Sequence, residues 1–134
     1  MVMKLSDDSV SILIVDDRAD KVLALEAVLE ELGQKIERAY SGREALRQVL
    51  TNEFAVILLD VNMPDMDGFE TASLIRQRRS SLHTPIIFVT AYGDEMHAAR
   101  GYSLGAVDST GPALIHRISL GVFGDSEGKA HVDT

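Results

Sequence analysis

FAVILLD at residues 54–60 is a short apolar run that ends in a carboxylate. Its β-branched and aromatic residues favour a strand buried on both faces, as in a parallel sheet. Two more apolar runs end in polar side chains: 11–15 before Asp16 and Asp17, and 85–89 before Thr90. Open α/β sheets place their ligand sites at the carboxyl ends of the strands. The sequence therefore predicts a site at one edge of a sheet, built from three acids and a hydroxyl.

Segments with apolar residues at helical spacing separate the runs, which predicts βα units joined by right-handed crossovers. Five strands are predicted, at 11–15, 36–40, 54–60, 86–90 and 106–108. The first three helices should bury Val22, Leu25, Val28, Leu29 and Leu32, then Ala45, Leu46, Val49 and Leu50, then Phe69, Ala72, Leu74 and Ile75. A fourth helix, α4, is predicted at 94–103, where the apolar residues recur less regularly. A last helix, α5, is predicted at 112–120.

Local signals mark where these helices begin and end. Gly33 is a plausible residue to follow the first helix, because glycine readily takes the left-handed conformation at that place. Ser41 and Glu44 have the spacing of a capping box, which predicts the start of the second helix. Asp65 and Asp67 are expected to shape the loop after the third strand through bonds to nearby backbone.

The chain has 134 residues, a size typical of one domain. We predict an N-terminal extension at 1–10, the folded domain at 11–120, and a flexible or divergent tail at 121–134. The net charge of −8 argues against nucleic-acid binding, which depends on Lys and Arg. The absence of cysteine excludes disulfides and thiolate sites. No signal peptide or membrane span is evident, so the cytoplasm and no membrane partner are expected.

Three carboxylates at one edge of a sheet repel each other. Two unit charges about 4 Å apart cost about 4 kcal/mol at an effective dielectric of about 20. A proton, a cationic side chain or a divalent metal must relieve this repulsion. Oxygen ligands suit Mg²⁺ or Mn²⁺, which usually retain several waters and so leave room for phosphate oxygens. The four histidines show no ligand spacing and are interpreted as surface residues.

The motifs together closely resemble the receiver domains of bacterial two-component response regulators, in order and in spacing, from about Ser11 to Asp108. The matching segments are 15–17 (VDD), 58–68 (LLDVNMPDMDG), 89–91 (VTA) and 105–108 (GAVD). The resemblance implies an α/β fold: a doubly wound, five-stranded parallel sheet of the flavodoxin-like type, with strand order 2-1-3-4-5.

The resemblance also implies a function, which is phosphorelay signal transduction. Asp60 would accept a phosphoryl group from a sensor histidine kinase or phosphotransfer protein, and the domain would switch conformation to control a partner or an attached domain. Mg²⁺ or Mn²⁺ would be held by Asp60, by Asp17 directly, by Asp16 through a water molecule, and by the backbone carbonyl of Asn62. Thr90 would be the switch hydroxyl beside the small Ala91, and Pro64 and Gly68 would shape the loop. A homodimer could form through the α4–β5–α5 face, as in many relatives.

The sequence departs from the family pattern near the end of the fifth strand. Receiver domains usually carry a lysine before a proline there, with an aromatic residue three positions earlier. Here Gly111 stands before Pro112 and Ser109 takes the place of the aromatic residue, so the segment is one residue shorter than the family pattern. A charge-assisted hydrogen bond of the kind that lysine makes is worth about 1.5–3 kcal/mol, so its loss should weaken phosphoryl stabilisation or switching. Arg117 is a candidate substitute.

The acidic residues and the missing lysine also allow three other interpretations. The missing lysine and aromatic residue favour a binding module of the same fold that no longer switches on phosphate. Asp16 and Asp17 could simply cap the helix that follows them. A metal-dependent phosphatase of the haloacid dehalogenase kind also uses a strand-end Asp, but would need a second Asp where this chain has Asn62. We therefore expect a phosphoacceptor switch with self-dephosphorylation and not an enzyme in the usual sense.

Overall fold

The computed structural model describes residues 11–90 and 107–108, with Glu31, Thr90, Val107 and Asp108 described by their backbone alone. The predicted extension at 1–10, helices α4 and α5 and the tail at 121–134 lie outside the described residues. Ala91, Gly111 and Arg117 lie outside them as well.

A parallel sheet of five strands forms the centre of the fold, in the order β2-β1-β3-β4-β5. Its strands are β1 Ser11–Val15, β2 Lys35–Ala39, β3 Phe54–Asp60, β4 Ile86–Thr90 and β5 Val107–Asp108. The predicted fold class and strand order are therefore confirmed. The predicted bounds match for β1, β3 and β4, and differ by one residue at each end of β2.

The helices in the described residues are α1 Ala19–Leu29, α2 Gly42–Thr51 and α3 Gly68–Arg76, with 3-10 turns at Glu30–Leu32 and Arg79–Ser81. Gly33 ends the first helical segment with φ +67°, the conformation for which glycine is suited. The Ser41 hydroxyl accepts from the Glu44 N–H at 3.1 Å. The Glu44 carboxylate reaches back to the Tyr40 N–H at 2.8 Å, one residue before the partner expected in a capping box. No helix in the described part of the chain has the length and apolar character that a membrane crossing needs.

Helices cover both faces of the sheet. On one face α1 packs Val22, Leu25 and Leu29 against alternate residues of the central strands. On the other face α2 and α3 pack Ala45, Val49, Ala72 and Ile75 against the residues in between. The middle of β3 is consequently fully buried, as the apolar run predicts.

Two residues predicted to be buried are exposed. Val28 of α1 keeps 43% of its surface accessible and Leu50 of α2 keeps 54%. Each adjoins a buried residue in sequence, Leu29 or Val49, and one helical step turns a side chain by about 100°. That rotation carries Val28 and Leu50 beyond the stripe that contacts the sheet, so the prediction was wrong for these two positions.

Gly68 fixes the approach of α3 to the end of β3. A Cβ atom added at this glycine would lie 2.2 Å from the Asp60 carbonyl oxygen and 2.8 Å from the Val61 Cα. The Gly68 N–H also donates to the Val61 carbonyl at 3.1 Å. The start of α3 therefore rests directly on the backbone that carries Asp60, and only a residue without a side chain fits there.

Gly68→Ala should destabilise the domain by about 1–3 kcal/mol, because the new methyl group meets backbone that cannot move aside without displacing Asp60. Urea unfolding followed by circular dichroism measures the effect. Ser73→Ala, on the exposed side of the same helix, is the matched control and should change the unfolding free energy by less than about 0.5 kcal/mol. Equal stability of Gly68→Ala and the wild-type chain would contradict the close approach.

Candidate metal centre

Three carboxylates meet at the carboxyl edge of the sheet. Asp16, Asp17 and Asp60 each offer an oxygen, and these oxygens all lie within 4.8 Å of one another. Strand register produces this arrangement. Val15 of β1 pairs with Leu59 of β3, and the residues that follow this pair are Asp16 and Asp60, which therefore lie side by side. Asp17 follows on the exposed side. The structure therefore brings together the three acids that the sequence predicts to converge.

The backbone around the cluster is held on both sides. The Asp16 N–H donates to the Ala39 carbonyl at 3.1 Å and so extends the ladder between β1 and β2. Asp16 Oδ1 accepts from the Arg18 N–H at 3.0 Å, which fixes the turn into α1. On the neighbouring strand, the Asn62 N–H donates to the Asp60 carboxylate. Each buried acid therefore accepts from a nearby backbone N–H and retains oxygen lone pairs for another ligand.

The capping interpretation of Asp16 and Asp17 does not describe their geometry. The residue at the N-cap of α1 is Arg18, and its side chain makes no capping hydrogen bond. Asp16 shapes the preceding turn instead. Asp16 accepts from the N–H of the N-cap residue itself, and this bond does not explain why both acids lie beside Asp60.

Burial and mutual repulsion shift the protonation of the cluster. Asp16 is 3% exposed and Asp60 is 5% exposed. Loss of hydration is the main cause that raises the pKa of Asp60 to about 7, and the charge of Asp16 adds to it. Burial likewise raises the pKa of Asp16. At a separation of about 5 Å and a dielectric of about 20, each pair of ionised acids costs about 3 kcal/mol.

A cation that the sequence reasoning missed acts on this cluster. The positive charge of Lys21 lowers the pKa of both Asp16 and Asp60, in opposition to their burial. Lys21 lies in the first turn of α1, four residues after Asp17. The signal was available, since an inward-facing residue in the first turn after a strand-end acid lies close to that edge of the sheet. Attention to the carboxylates alone left it unnoticed.

The loop that follows Asp60 is shaped by local contacts. The Met66 N–H donates to the Pro64 carbonyl at 2.7 Å, and Asp65 has φ +73°. The Asp67 side chain caps α3 by accepting from the Glu70 N–H at 2.8 Å, which confirms its predicted local role. Asp65 pairs with exposed Arg43 at 3.5 Å. Neither acid belongs to the three-carboxylate group that the described residues contain.

Thr90 ends β4 at the same edge. Asp60 of β3 pairs with Val89 of β4, so Thr90 lies one residue farther along β4 than the partner of Asp60. On its other side, Thr90 pairs with Asp108 of β5. The role of its hydroxyl stays a prediction, since only its backbone is described. Of the histidines, His83 is exposed, and the other three lie outside the described residues.

Comparison with known proteins decides the family. The family model of the response regulator receiver domain matches residues 12–110. The chain belongs to this family. The buried acids at the strand edge lie within the segment that this family model matches.

A curated relative is the transcriptional regulatory protein SrrA of Staphylococcus aureus (strain NCTC 8325 / PS 47). It is 39% identical over 97 residues, which are 72% of this chain and 39% of the relative. The chain therefore spans about two fifths of the length of the curated relatives that it matches.

Solved receiver domains share the fold. One belongs to a signal transduction histidine kinase from Syntrophus aciditrophicus, with a TM-score of 0.73, 27% identity, and coverage of 87% of this chain and 92% of that one. Another belongs to the sensor histidine kinase PA1611 of Pseudomonas aeruginosa PAO1, with a TM-score of 0.72, 26% identity, and coverage of 87% and 99%. That receiver domain has a magnesium ion coordinated in its active site cleft.

The raised pKa of Asp60 has a consequence for stability. Between about pH 4 and pH 7 the folded chain holds a proton that the unfolded chain releases, so stability falls as the pH rises through this window. The difference between pKa 3.8 and about 7 corresponds to at most about 4 kcal/mol. Asp60→Asn should therefore stabilise the metal-free chain at pH 8 and bring little gain at pH 4.

Urea unfolding in a chelating buffer at several pH values measures this difference. Glu53→Gln removes an exposed acid at the opposite end of β3 and should show no such trend. A stability difference between Asp60→Asn and wild type that does not change with pH would contradict the burial of an uncompensated charge at Asp60.

Proposed function

We propose that this chain is a phosphoacceptor switch in a phosphorelay, with Asp60 as the acceptor. The observation that carries the proposal is the position of Asp60: it is 5% exposed, ends the central strand, and has two further carboxylates within 4.8 Å. Membership of the receiver family supports the same role. The donor would be a phosphohistidine of a sensor histidine kinase or phosphotransfer protein.

The transfer step follows from the chemistry of a carboxylate nucleophile. An Asp60 oxygen attacks the phosphorus of the donor, so an O–P bond forms and the N–P bond of phosphohistidine breaks. The imidazole leaves and takes up a proton, and Asp60 becomes an acyl phosphate. Water later attacks the acyl phosphate, which returns the carboxylate and releases inorganic phosphate. Such transfers depend mainly on positioning and on neutralising charge at the phosphoryl oxygens.

The donor set fits a hard divalent cation. Carboxylate oxygens from Asp16, Asp17 and Asp60 would hold Mg²⁺ or Mn²⁺, together with the backbone carbonyl of Asn62. When bound, the ion neutralises the acids and the phosphoryl oxygens. Asp16 is held in place by the Arg18 N–H, while exposed Asp17 is free to adjust its carboxylate. Asp60 must lose its proton before it can bind metal or attack phosphorus.

The switch would follow from the charge added at Asp60. An acyl phosphate brings extra negative charge and strong acceptor oxygens. The Thr90 hydroxyl would turn toward it, with the small Ala91 leaving room, and so bias a two-state surface. A homodimer through the α4–β5–α5 face and an attached output domain are further possibilities of the same proposal, with the cytoplasm as the expected location. No nucleic-acid or membrane contact by this domain is proposed.

A second candidate is a receiver that binds partners without phosphorylation. The sequence supports it with Gly111 where the family pattern has lysine and Ser109 where it has an aromatic residue. Such a module would keep the fold and the acidic site but would stabilise a phosphoryl group poorly.

Incubation of the chain with phosphoramidate and Mg²⁺, followed by intact mass spectrometry, separates the two candidates. The wild-type chain should gain one phosphoryl group, and Asp60→Asn should gain none, because the amide is not a nucleophile. Asp67→Asn is the control, since Asp67 caps α3 and should not affect the acceptor. Phosphorylation that persists in Asp60→Asn would identify a different acceptor, and a wild-type chain that binds Mg²⁺ but gains no mass would favour the second candidate.

Mg²⁺ affinity should depend on pH because metal and proton compete for the same acids. As the pH rises from 5 to 8, Asp60 with its pKa of about 7 ionises, and Mg²⁺ binding should tighten by about tenfold or more. Isothermal titration calorimetry in two buffers of different ionisation enthalpy measures both the affinity and the released proton. Asp17→Asn should weaken binding at every pH, whereas pH-independent binding by the wild-type chain would contradict Asp60 as a ligand.

A further inference from the structure

A groove lies between helices α2 and α3, on the face of the sheet opposite to α1. Both helices pack on this face of the sheet. The groove has a volume of about 450 Å³, is largely open to solvent, and is lined by side chains of both helices and of the loop before α3. We call it the α2–α3 groove. None of the three acids of the metal centre lines it, so the proposed function gives it no role.

Apolar side chains form much of the groove lining, and they come from Leu46, Leu50, Met66 and Leu74. Leu50 keeps 54% of its surface accessible, and the other three are half-buried. Arg43 and Leu50 lie seven residues apart on α2, which is about 10 Å along the helix axis. Adjoining apolar side chains that remain accessible to solvent are typical of a surface that binds a partner. The length of this surface matches about two turns of a partner helix.

Three arginines, Arg43, Arg47 and Arg78, complete the lining, and no acid is among the described residues that line the groove. These cations are concentrated on one surface of a chain whose net charge is −8. Arg43 Nε already lies 3.5 Å from a carboxylate oxygen of Asp65. The guanidinium groups of Arg47 and Arg78 have no hydrogen bond or ion pair with the residues that the structure describes.

We propose that the α2–α3 groove binds an acidic amphipathic segment of a partner protein. Apolar side chains of that segment cover Leu50 and its apolar neighbours, and its carboxylates pair with Arg47 and Arg78. Charge complementarity selects an acidic partner, because the groove presents cations without acids. A second copy of this chain is a poorer occupant, since two chains of net charge −8 repel each other. The inference does not depend on phosphorylation of Asp60.

A labelled synthetic peptide is the probe for this surface. The peptide has about 18 residues, long enough to form a helix, with leucines along one helical face, glutamates on both flanks and alanines elsewhere. Fluorescence anisotropy should show saturable binding to the wild-type chain with a Kd below about 100 μM at low salt. Binding should weaken as salt is raised, because the charge pairs are exposed. A control peptide with lysine in place of every glutamate should not bind.

Two matched pairs of variants locate the binding site. Arg47→Glu should weaken binding by about fivefold or more, because one attractive charge pair becomes repulsive. Lys35→Glu makes the same change of charge at the exposed start of β2 and should bind as the wild-type chain does. Leu50→Ala should weaken binding by about threefold or more through lost apolar contact. Leu23→Ala removes an equally exposed leucine from α1 on the other face of the sheet and should have no effect.

Circular dichroism and urea unfolding of each variant should match the wild-type chain, since the four positions lie on the surface. If Arg47→Glu fails to fold, Arg78→Glu supplies the same charge reversal beyond the end of α3.

Each outcome bears on the proposal. Saturable binding of the acidic peptide that Arg47→Glu and Leu50→Ala weaken, and that their controls do not, supports the α2–α3 groove as the binding surface. No saturable binding, equal binding of the lysine peptide, or an equal loss in Lys35→Glu overturns it. A wild-type chain that sediments as a dimer, with Leu50→Ala as a monomer, would assign the groove to a second copy and overturn it too. None of these results changes the test of Asp60, whose phosphorylation is measured separately.

Discussion

The burial of Asp60 is the constraint on which the rest of the site depends. A carboxylate that is 5% exposed and has two acids beside it cannot ionise at its usual pKa, and burial raises that pKa to about 7. The same burial that makes ionisation costly makes Asp60 responsive, because a cation or a phosphoryl group changes its energy strongly in a dehydrated setting. Asp16 and Asp17 increase the cost and also provide the oxygens that a divalent ion would use.

The fold produces this constraint through packing on both faces of the sheet. Helix α1 covers one face and helices α2 and α3 cover the other, so the central strand β3 is buried up to its last residue. The contact of Gly68 with the Asp60 carbonyl brings α3 against the end of this strand. Stability of the core and reactivity of the site are thus connected, because the residues that exclude water from β3 also exclude it from Asp60.

The departure from the family pattern at Gly111 concerns the charge balance of this site. Gly111 stands where the family pattern has lysine, while the three acids of the site are present. Two receivers with the same acids can therefore differ in how they hold a phosphoryl group.

The sequence by itself determined the strands and the identity of the three acids, and its resemblance to receiver domains implied the order of the strands. It could do so because a buried parallel strand must be a continuous apolar run and because the polar residues directly after such runs share one edge of the sheet. Local signals also sufficed at Gly33 and Asp67, where each residue acts on its own neighbours. Tertiary structure alone decided the exposure of Val28 and Leu50 and the degree to which the pKa of Asp60 is raised. These properties depend on how helices rotate and pack against the sheet, and therefore on distances between residues that are remote in the chain.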